Sequence, residues 1–502
     1  MAGKYYIGLD NGGSVSKAGL FDCAGTERAV ATAIVPQILP QAGYVERDTN
    51  LLYQANVQCI REVIRKSGVE PREIGGVSVT GHGNGLYLIG KDGKPSYNGI
   101  ISTDMRAADL VEAWLDDGTF DKILPKTKQS LWAGQIVPLL KWFSVNRPEV
   151  IKRSRYAFSC SDVIRYFLTG EAWGEISNMS SISAMDLEKG EYSREVLTAL
   201  GVEDCMRLLP PLRRSTDVCG KITGQVARET GLEPGTIVAG GLVDFTACPI
   251  ATGIVDETVL SIVGGTWAIT CYVDKQPVED KDLFMSSIYT VDGYYNIMEG
   301  SMTSASNLEW FIQKILKDEN KSSKEYYELC NEMVDSKQPE DCDVVFLPYL
   351  YGTNANPKAK ACFIGLTCMD DKASMLRAIY EGVVFSTCYH VEKLMGYKKD
   401  GVKVARISGG PSNSRVWVQM FADVLDMPIE VCGAGELGTL GAAMCAAVAD
   451  GQFADMKQAA QTCYHADYTC EPNHMNVEIY ARKYKKFKKL VDTLDGYWSV
   501  CV

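Results

Sequence analysis

The distribution of apolar and polar positions divides the chain into strands, glycine turns and helices, beginning with its first twenty residues. An apolar strand through Ile7 ends at an acid, Asp10, passes through the polar turn Asn11-Gly12-Gly13-Ser14 and returns through Val15 to Leu20. A third strand runs from Val30 to Val35 after the turn Asp22-Cys23-Ala24-Gly25-Thr26. Pro40 to Asp48 reads as a loop. Asp48 or Thr49 can then cap a helix in which Leu52, Val57, Ile60, Val63 and Ile64 recur at helical spacing. Ile74 to Thr80 is a strand that ends in Gly81-His82-Gly83-Asn84-Gly85, with the strand-like Leu86 to Ile89 behind it. Helices are predicted from Ala107 past Trp114 and from the stretch Trp132 to Phe143, and Glu175 to Ser181 reads as a polar strand or loop.

The pattern repeats past the middle. Ile237 to Val243 is an apolar strand carrying Gly240-Gly241 and ending at Asp244, and an apolar helix, Ala247 to Gly253, follows. Val259 to Val273 is again strand, Gly-Gly-hydroxyl turn and strand, with Thr266 in the role of Ser14 and no counterpart to Asp10. Such an echo predicts one fold used twice, with the two glycine turns facing each other across a cleft. A third turn, Ser408-Gly409-Gly410-Pro411-Ser412-Asn413, lies between the strand Val404 to Ile407 and the helix Val416 to Leu425, so its N–H groups can meet an anion or a nucleoside. Gly433 to Met444 is a small-residue helix start suited to close packing. After it come a helix from Met456 to Cys463, a polar loop, and a last helix from Asn476 to Tyr497 that is expected to pack back on the first domain.

Composition sharpens this picture. With 502 residues the chain is long enough for two or three domains, and 46% apolar against 23% charged residues fits a folded globular enzyme. The net charge of −12 argues against a nucleic-acid partner, and the absence of a leader or a long apolar span predicts a cytoplasmic protein with no membrane partner. The 17 cysteines fall singly, with no CxxC pair, and the four histidines are dispersed, which speaks against disulfides and zinc.

Two stretches invite chemistry. The opening turn presents N–H groups around one carboxylate, an arrangement suited to a phosphate tail and its metal; an ordinary hairpin uses the same residues. The Gly81–Gly85 run follows a strand as a dinucleotide loop would, yet no helix begins behind it, so its glycines serve close approach of a small ligand, with His82 and Asn84 offering polar contacts. A structural histidine in a hairpin is the alternative. Asp104 and Arg106, two residues apart, are either ligand contacts or an ion pair that fixes the next helix.

The set of Asp10 with Gly12-Gly13-Ser14, Gly240-Gly241 with Asp244, Gly264-Gly265-Thr266, Gly409-Gly410-Pro411-Ser412-Asn413 and Gly441-Ala442-Ala443 resembles the FGGY family of carbohydrate kinases, in order and over nearly the whole chain. The resemblance implies an α/β protein of two ribonuclease H-like domains of the actin and hexokinase type, with ATP and Mg²⁺ in the cleft and a sugar phosphorylated on a primary hydroxyl. It implies a sugar-binding domain at 1–246, an ATP-binding domain at 247–452 and terminal helices at 453–502. Asp244 matches the family's catalytic base, and Asp10 its metal site. Gly12, Gly13, Ser14, Gly264, Gly265 and Thr266 match its phosphate loops, and Gly409, Gly410 and Asn413 its adenosine side. Sugar contacts fall to His82, Asn84, Asp104 and Asp244. Departures from the family pattern are Ser374 in one signature region and Gly13-Ser14 in place of Gly-Thr.

Within the family, the runs around His82, Asp104 and Ser306-Asn307-Leu308-Glu309-Trp310-Phe311 look most like kinases of L-xylulose and related keto-sugars. D-Xylulose, L-ribulose and erythritol stay open as substrates. Glycerol kinases carry an Arg-Glu pair where this chain has the His82 turn, which argues against glycerol. An actin- or chaperone-like ATPase of the same superfamily would keep Asp10 and the glycine turns but would not need His82, Asp104 and Asp244. The expected partners are thus a small sugar and ATP, with a homodimer as the habit the resemblance implies.

Overall fold

The computed structural model describes residues 4–265, 268–301, 304–316, 321–350, 352–353, 356, 358–398, 401–433, 435–498 and 500. It divides into two compact units. The first comprises Met1–Val255, Val273–Ile297 and Ala434–His465, and the second Asp256–Tyr272, Met298–Gly433 and Ala466–Val502.

The first unit is built on a mixed sheet of β1 (Tyr5–Asn11), β2 (Val15–Asp22), β3 (Glu27–Ile34), β4 (Ile74–Gly81), β5 (Val218–Lys221), β6 (Ile237–Ala239) and β7 (Leu242–Val243). Its order is β5-β6-β4-β1-β2-β3, with β7 also pairing with β4. The β1–β2 hairpin is antiparallel and sets Asp10 opposite Lys17. In contrast, β4 runs parallel to β1, with Asn11 beside Gly81, and β7 runs parallel to β4, with Val243 beside Gly81. Three parallel strands therefore end at one level, and Asp10, the Gly81–Gly85 turn and Asp244 emerge there together. Carboxyl ends of parallel strands are the usual place for a ligand in α/β folds.

Helices cover both faces of this sheet. The helix Thr49–Ser67 is capped by the Asp48 carboxylate, which accepts from the N–H groups of Asn50 and Leu51, and it buries Leu52, Ile60 and Val63 against the sheet. The helix Leu437–Ala449 lies against β1 and β4. It can do so because Gly8 lacks a Cβ, which would sit 1.8 Å from the Thr439 carbonyl oxygen. A second apolar core gathers around the helix Ile136–Asn146, including Leu139, Leu140 and Phe143.

The second unit repeats the arrangement. Here β8 (Val259–Gly264) and β9 (Ala268–Asp274) form an antiparallel hairpin, and β10 (Val404–Gly409) runs parallel to β8 with Gly409 beside Gly264. Next come β11 (Ile429–Cys432), parallel to β10, and β12 (Ala466–Cys470), antiparallel to β11. The core of this unit joins Phe346, Ile379, Phe385, Trp417 and Phe421.

Four expectations change. The stretch after Cys463 is not only a polar loop, since β12 lies in it, paired edge to edge with β11. The last helix, His474–Trp498, packs in the second unit rather than on the first: Tyr480, Tyr484 and Phe487 are buried in that unit's core, and Arg377 donates to the Tyr480 hydroxyl. The helices Leu437–Ala449 and Met456–Cys463 belong to the first unit, so the expected boundary at 452 does not separate the units. Apolar pattern predicts that a helix has a buried face; it does not say which sheet receives it. Finally, Glu175 ends a two-residue strand and caps a helical turn, Ile176–Met179, in place of a polar strand or loop.

Candidate active site

In the first unit, Asp244 is the first residue of the helix Asp244–Ala251. Its Oδ1 accepts from the N–H of Phe245 at 2.8 Å and from the N–H of Gly83 at 3.2 Å, which aims the carboxyl and ties it to the glycine turn after β4. Gly83 has to be glycine here: a Cβ would lie 2.6 Å from the Phe245 ring. Burial, with the charge of Asp10 added, pushes the Asp244 carboxyl up to about 7.

Asp10 is likewise raised, to about 6, by burial; Lys17 works against the shift and Glu436 adds to it. Lys17 itself pairs with Glu436 at 2.8 Å. Gly438, in the first turn of the helix Leu437–Ala449, lets the Asp10 carboxylate come close, since a Cβ there would meet Asp10 Oδ2 at 2.4 Å. Between Asp10 and β2 the turn is closed by the Gly12 N–H donating to the Val15 carbonyl at 2.9 Å, and the Ser14 carbonyl accepts from Val35. Gly13 sends its carbonyl to the Gln37 amide at 3.3 Å.

The expected sugar contacts separate into two kinds. Asn84 is buried in the left-handed region with φ of 62°, and its Oδ1 has no hydrogen-bond partner among the described residues. An orphaned acceptor beside Asp244's tether is what a ligand hydroxyl would satisfy. His82 and Asp104, expected to meet hydroxyls as well, are committed to the protein. The Nε2 of His82 meets the Tyr87 hydroxyl at 3.0 Å and its Nδ1 faces the Gly83 carbonyl at 3.4 Å. Burial, reinforced by Arg47, lowers its pKa to about 3, so the ring is neutral. Asp104 accepts four bonds, from the Val45 N–H and from the N–H, Nε and Nη2 of Arg106, which leaves neither oxygen open. Arg106 goes on to Glu46 at 2.8 Å and lies over the Tyr44 ring. The ion-pair alternative thus describes Asp104, and the structural-histidine alternative describes His82.

In the second unit, Gly264 and Gly409 approach so closely that a Cβ on Gly409 would lie 2.3 Å from the Gly264 carbonyl oxygen. Gly409 has φ of 84° and ψ of −159°, a conformation open only to glycine. One turn of 3₁₀ helix, Gly410–Asn413, follows, and Ser412 Oγ and Asn413 Nδ2 both bond back to the carbonyls of Gly409 and Gly410. Gly265 is described at the end of β8; Thr266 lies outside the described residues.

Sequence reasoning missed two members of the first unit's site. Arg47 was part of a loop, yet it is fully buried and donates to the Gly12 carbonyl at 2.8 Å. Tyr87 read as one residue of a strand, yet its hydroxyl joins Arg47 to His82. An arginine between Glu46 and Asp48 carries no sequence signal of burial.

Mg²⁺ asks for hard oxygen donors and takes much of its shell from water and phosphate. Among the described residues no group of three or more His, Cys, Asp or Glu gathers as a metal site. A single desolvated carboxylate at Asp10 fits an ion whose other ligands are not protein.

Two family models match the chain: the N-terminal domain of the FGGY family of carbohydrate kinases over residues 5–250 and its C-terminal domain over residues 260–449. The L-xylulose/3-keto-L-gulonate kinase of Escherichia coli (strain K12) is 36% identical over 496 residues, covering 98% of each chain. A probable L-xylulose kinase of Pasteurella multocida (strain Pm70) is 36% identical over 492 residues, covering 98% of this chain and 99% of its own. Among solved structures, a gluconate kinase from Lactobacillus acidophilus superposes with a TM-score of 0.91 at 22% identity, over 100% of both chains. A ligand-bound xylulose kinase from the same organism gives 0.90 at 22% identity, covering 99% of this chain and 100% of that one. Two-unit α/β architecture, repeated glycine turns and full-length similarity lead to one conclusion: this chain belongs to the FGGY family of carbohydrate kinases and transfers a phosphoryl group from ATP to a sugar.

Proposed function

We propose that the sugar is a keto-pentose of the L-xylulose type, phosphorylated on a primary hydroxyl with Asp244 as general base. The observation that carries this reading is the state of Asp244: one oxygen is held by two backbone N–H groups, and burial beside Asp10 raises its pKa to about 7. A carboxylate with that affinity takes the hydroxyl proton as the sugar oxygen bonds to the γ-phosphorus, while ADP leaves with the electron pair of the broken P–O bond. Asn84 Oδ1, buried beside it and unpartnered, accepts from a second sugar hydroxyl. His82 and Asp104 support the site from behind, through Gly83 and through Val45 and Arg106. The names of the Escherichia coli and Pasteurella multocida relatives favour L-xylulose over D-xylulose, L-ribulose and erythritol.

In the first unit, Gly12, Gly13 and Ser14 are assigned to ATP phosphates; in the second, Gly264, Gly265 and Thr266 are assigned to phosphates and Gly409, Gly410 and Asn413 to adenosine. Asp10 would hold Mg²⁺, which when bound supplies neutralising charge to the phosphates. All cysteines among the described residues are free, which supports work in a reducing compartment such as the cytoplasm; no described helix is long and apolar enough to cross a membrane.

A coupled ADP-release assay with ATP against pentuloses, hexuloses and polyols tests the substrate, with the highest kcat/KM expected for L-xylulose. Asp244→Asn in the same assay tests the base: kcat falls by about 10²–10⁴-fold while sugar and ATP still bind. Turnover near the wild-type rate in that variant removes Asp244 from the chemistry.

A further inference from the structure

Four arginines among the described residues are buried, and three of them sit against carboxylates: Arg106 against Asp104 and Glu46, Arg165 against Asp162, Arg377 against Glu381. Arg47 is the exception. Its side chain is 0% exposed, and its three partners are neutral: the Gly12 carbonyl from Nη1 at 2.8 Å, the Tyr87 hydroxyl from Nε at 2.6 Å and the Cys160 sulfur from Nη2 at 3.0 Å. Burying a guanidinium without a counter-charge costs stability, and apolar side chains could fill the same space. What the charge gives in return is a fixed, forked set of donors.

The fork points both ways along the site. On one arm it holds the Gly12 carbonyl and so the turn Gly12-Gly13-Ser14. On the other, Tyr87 accepts from Arg47 and is left with its own proton to give, with His82 Nε2 at 3.0 Å and the Cys160 sulfur both in reach, while the Gly83 carbonyl facing His82 Nδ1 can only accept. That fixes the neutral imidazole as the Nδ1–H form, which donates to the Gly83 carbonyl; the Gly83 N–H in turn donates to Asp244 Oδ1 at 3.2 Å. Two glycines make the route feasible. A Cβ on Gly99 would strike the Tyr87 ring at 2.2 Å, and one on Gly85 would strike the His82 ring at 2.8 Å.

We propose that Arg47 is a positioning residue, and that the relay Gly12–Arg47–Tyr87–His82–Gly83–Asp244 couples the phosphate turn to the orientation of the carboxyl that receives the sugar proton. The inference rests on the assignments of Gly12–Ser14 and Asp244 made above. Arg47 stands at the branch, so its loss is felt on both arms; Tyr87 stands on the sugar arm alone.

The test compares R47M, R47K and Y87F in the full-length protein, using steady-state kinetics and calorimetric titration with ADP. R47M is expected to weaken ADP binding and raise the ATP KM by about tenfold, and to lower kcat with the best ketose by about tenfold. R47K, whose single ammonium cannot span both arms, recovers one of these effects and not the other. Y87F lowers kcat by a similar factor and leaves ADP affinity within twofold of wild type, because Arg47 still reaches Gly12. Should R47M fail to fold, the Y87F and R47K split alone decides. Equal changes in ADP affinity and kcat in Y87F, or losses that only track the folded fraction with both KM values unmoved, overturn the relay. Failure of the kinase assignment shows separately, as no phosphorylation of any sugar by the wild type or no effect of D244N, while the ADP titrations still read the Arg47 arm.

Discussion

Asp244 and Asp10, the proposed base and metal ligand, are carboxyls whose proton affinities burial has raised to about 7 and about 6. The sign of the consequence follows from linkage. Across the interval between the unfolded carboxylate value and these raised values, the folded protein binds more protons than the unfolded chain, so stability is greatest at the acid end and falls as pH rises through about 7. Thermal melts from pH 5 to pH 8 should show this decline, to which buried Glu175, also raised to about 7, adds and which the neutral His82 opposes at the acid end; D244N should lessen the slope and raise the Tm at pH 8. Activity runs the other way. The base works ionised, so kcat/KM of the free enzyme should climb with pH and level off above about 7. A profile flat from pH 5.5 to 8 would contradict both the assignment and its environment. Asn84 belongs to the same scale: N84A removes the acceptor offered to the sugar, and the ketose KM should rise by about tenfold with the ATP KM unchanged.

At the scale of elements, the site exists because three parallel strand ends and one helix meet with little room to spare. The helix Leu437–Ala449 reaches β1 over Gly8, and its Gly438 stands against the Asp10 carboxylate. Gly438→Ala would place a methyl 2.4 Å from Asp10 Oδ2, so either the carboxylate or the helix start must move. The expected result is a protein that folds, with a higher Mg²⁺ concentration required for half-maximal rate; an unchanged Mg²⁺ dependence would detach Asp10 from the metal. In the second unit Gly409 answers to two constraints at once, its φ of 84° and the Gly264 carbonyl 2.3 Å from where a Cβ would lie. Gly409→Ala should therefore cost both stability and ADP affinity.

At the scale of the whole molecule, each unit has its own core, and the last helix shows how a terminal segment is recruited to one of them. Phe487 is fully buried among Phe385, Tyr484 and their neighbours in the second unit. Phe487→Ala should destabilise that unit by about 3–5 kcal/mol. In calorimetry the loss should appear in the transition that bound ADP raises in the wild type, and equal loss across every transition would show that the units do not unfold as separate cores.

The sequence by itself determined the local grammar. Strand and glycine turn were legible at Asp10, at Gly81–Gly85, before Asp244, at Gly264-Gly265 and at Gly409-Gly410, with an acid at Asp10 and Asp244 alone among these, because a turn that must admit a backbone or an anion favours glycine and small polar residues. The family resemblance and the repeat were legible for the same reason, being order along the chain. Only the tertiary structure decided which polar side chains are already committed to protein partners. Asp244, His82, Asn84 and Asp104 look alike as polar residues near turns, yet Asn84 is left an open acceptor while Asp104 is filled by Val45 and Arg106, and His82 by Tyr87 and Gly83. The same holds for Arg47, whose role comes from partners 35, 40 and 113 residues away in the chain. Hydrogen-bond saturation and burial are properties of neighbours in space, and a single chain read in order contains no record of them.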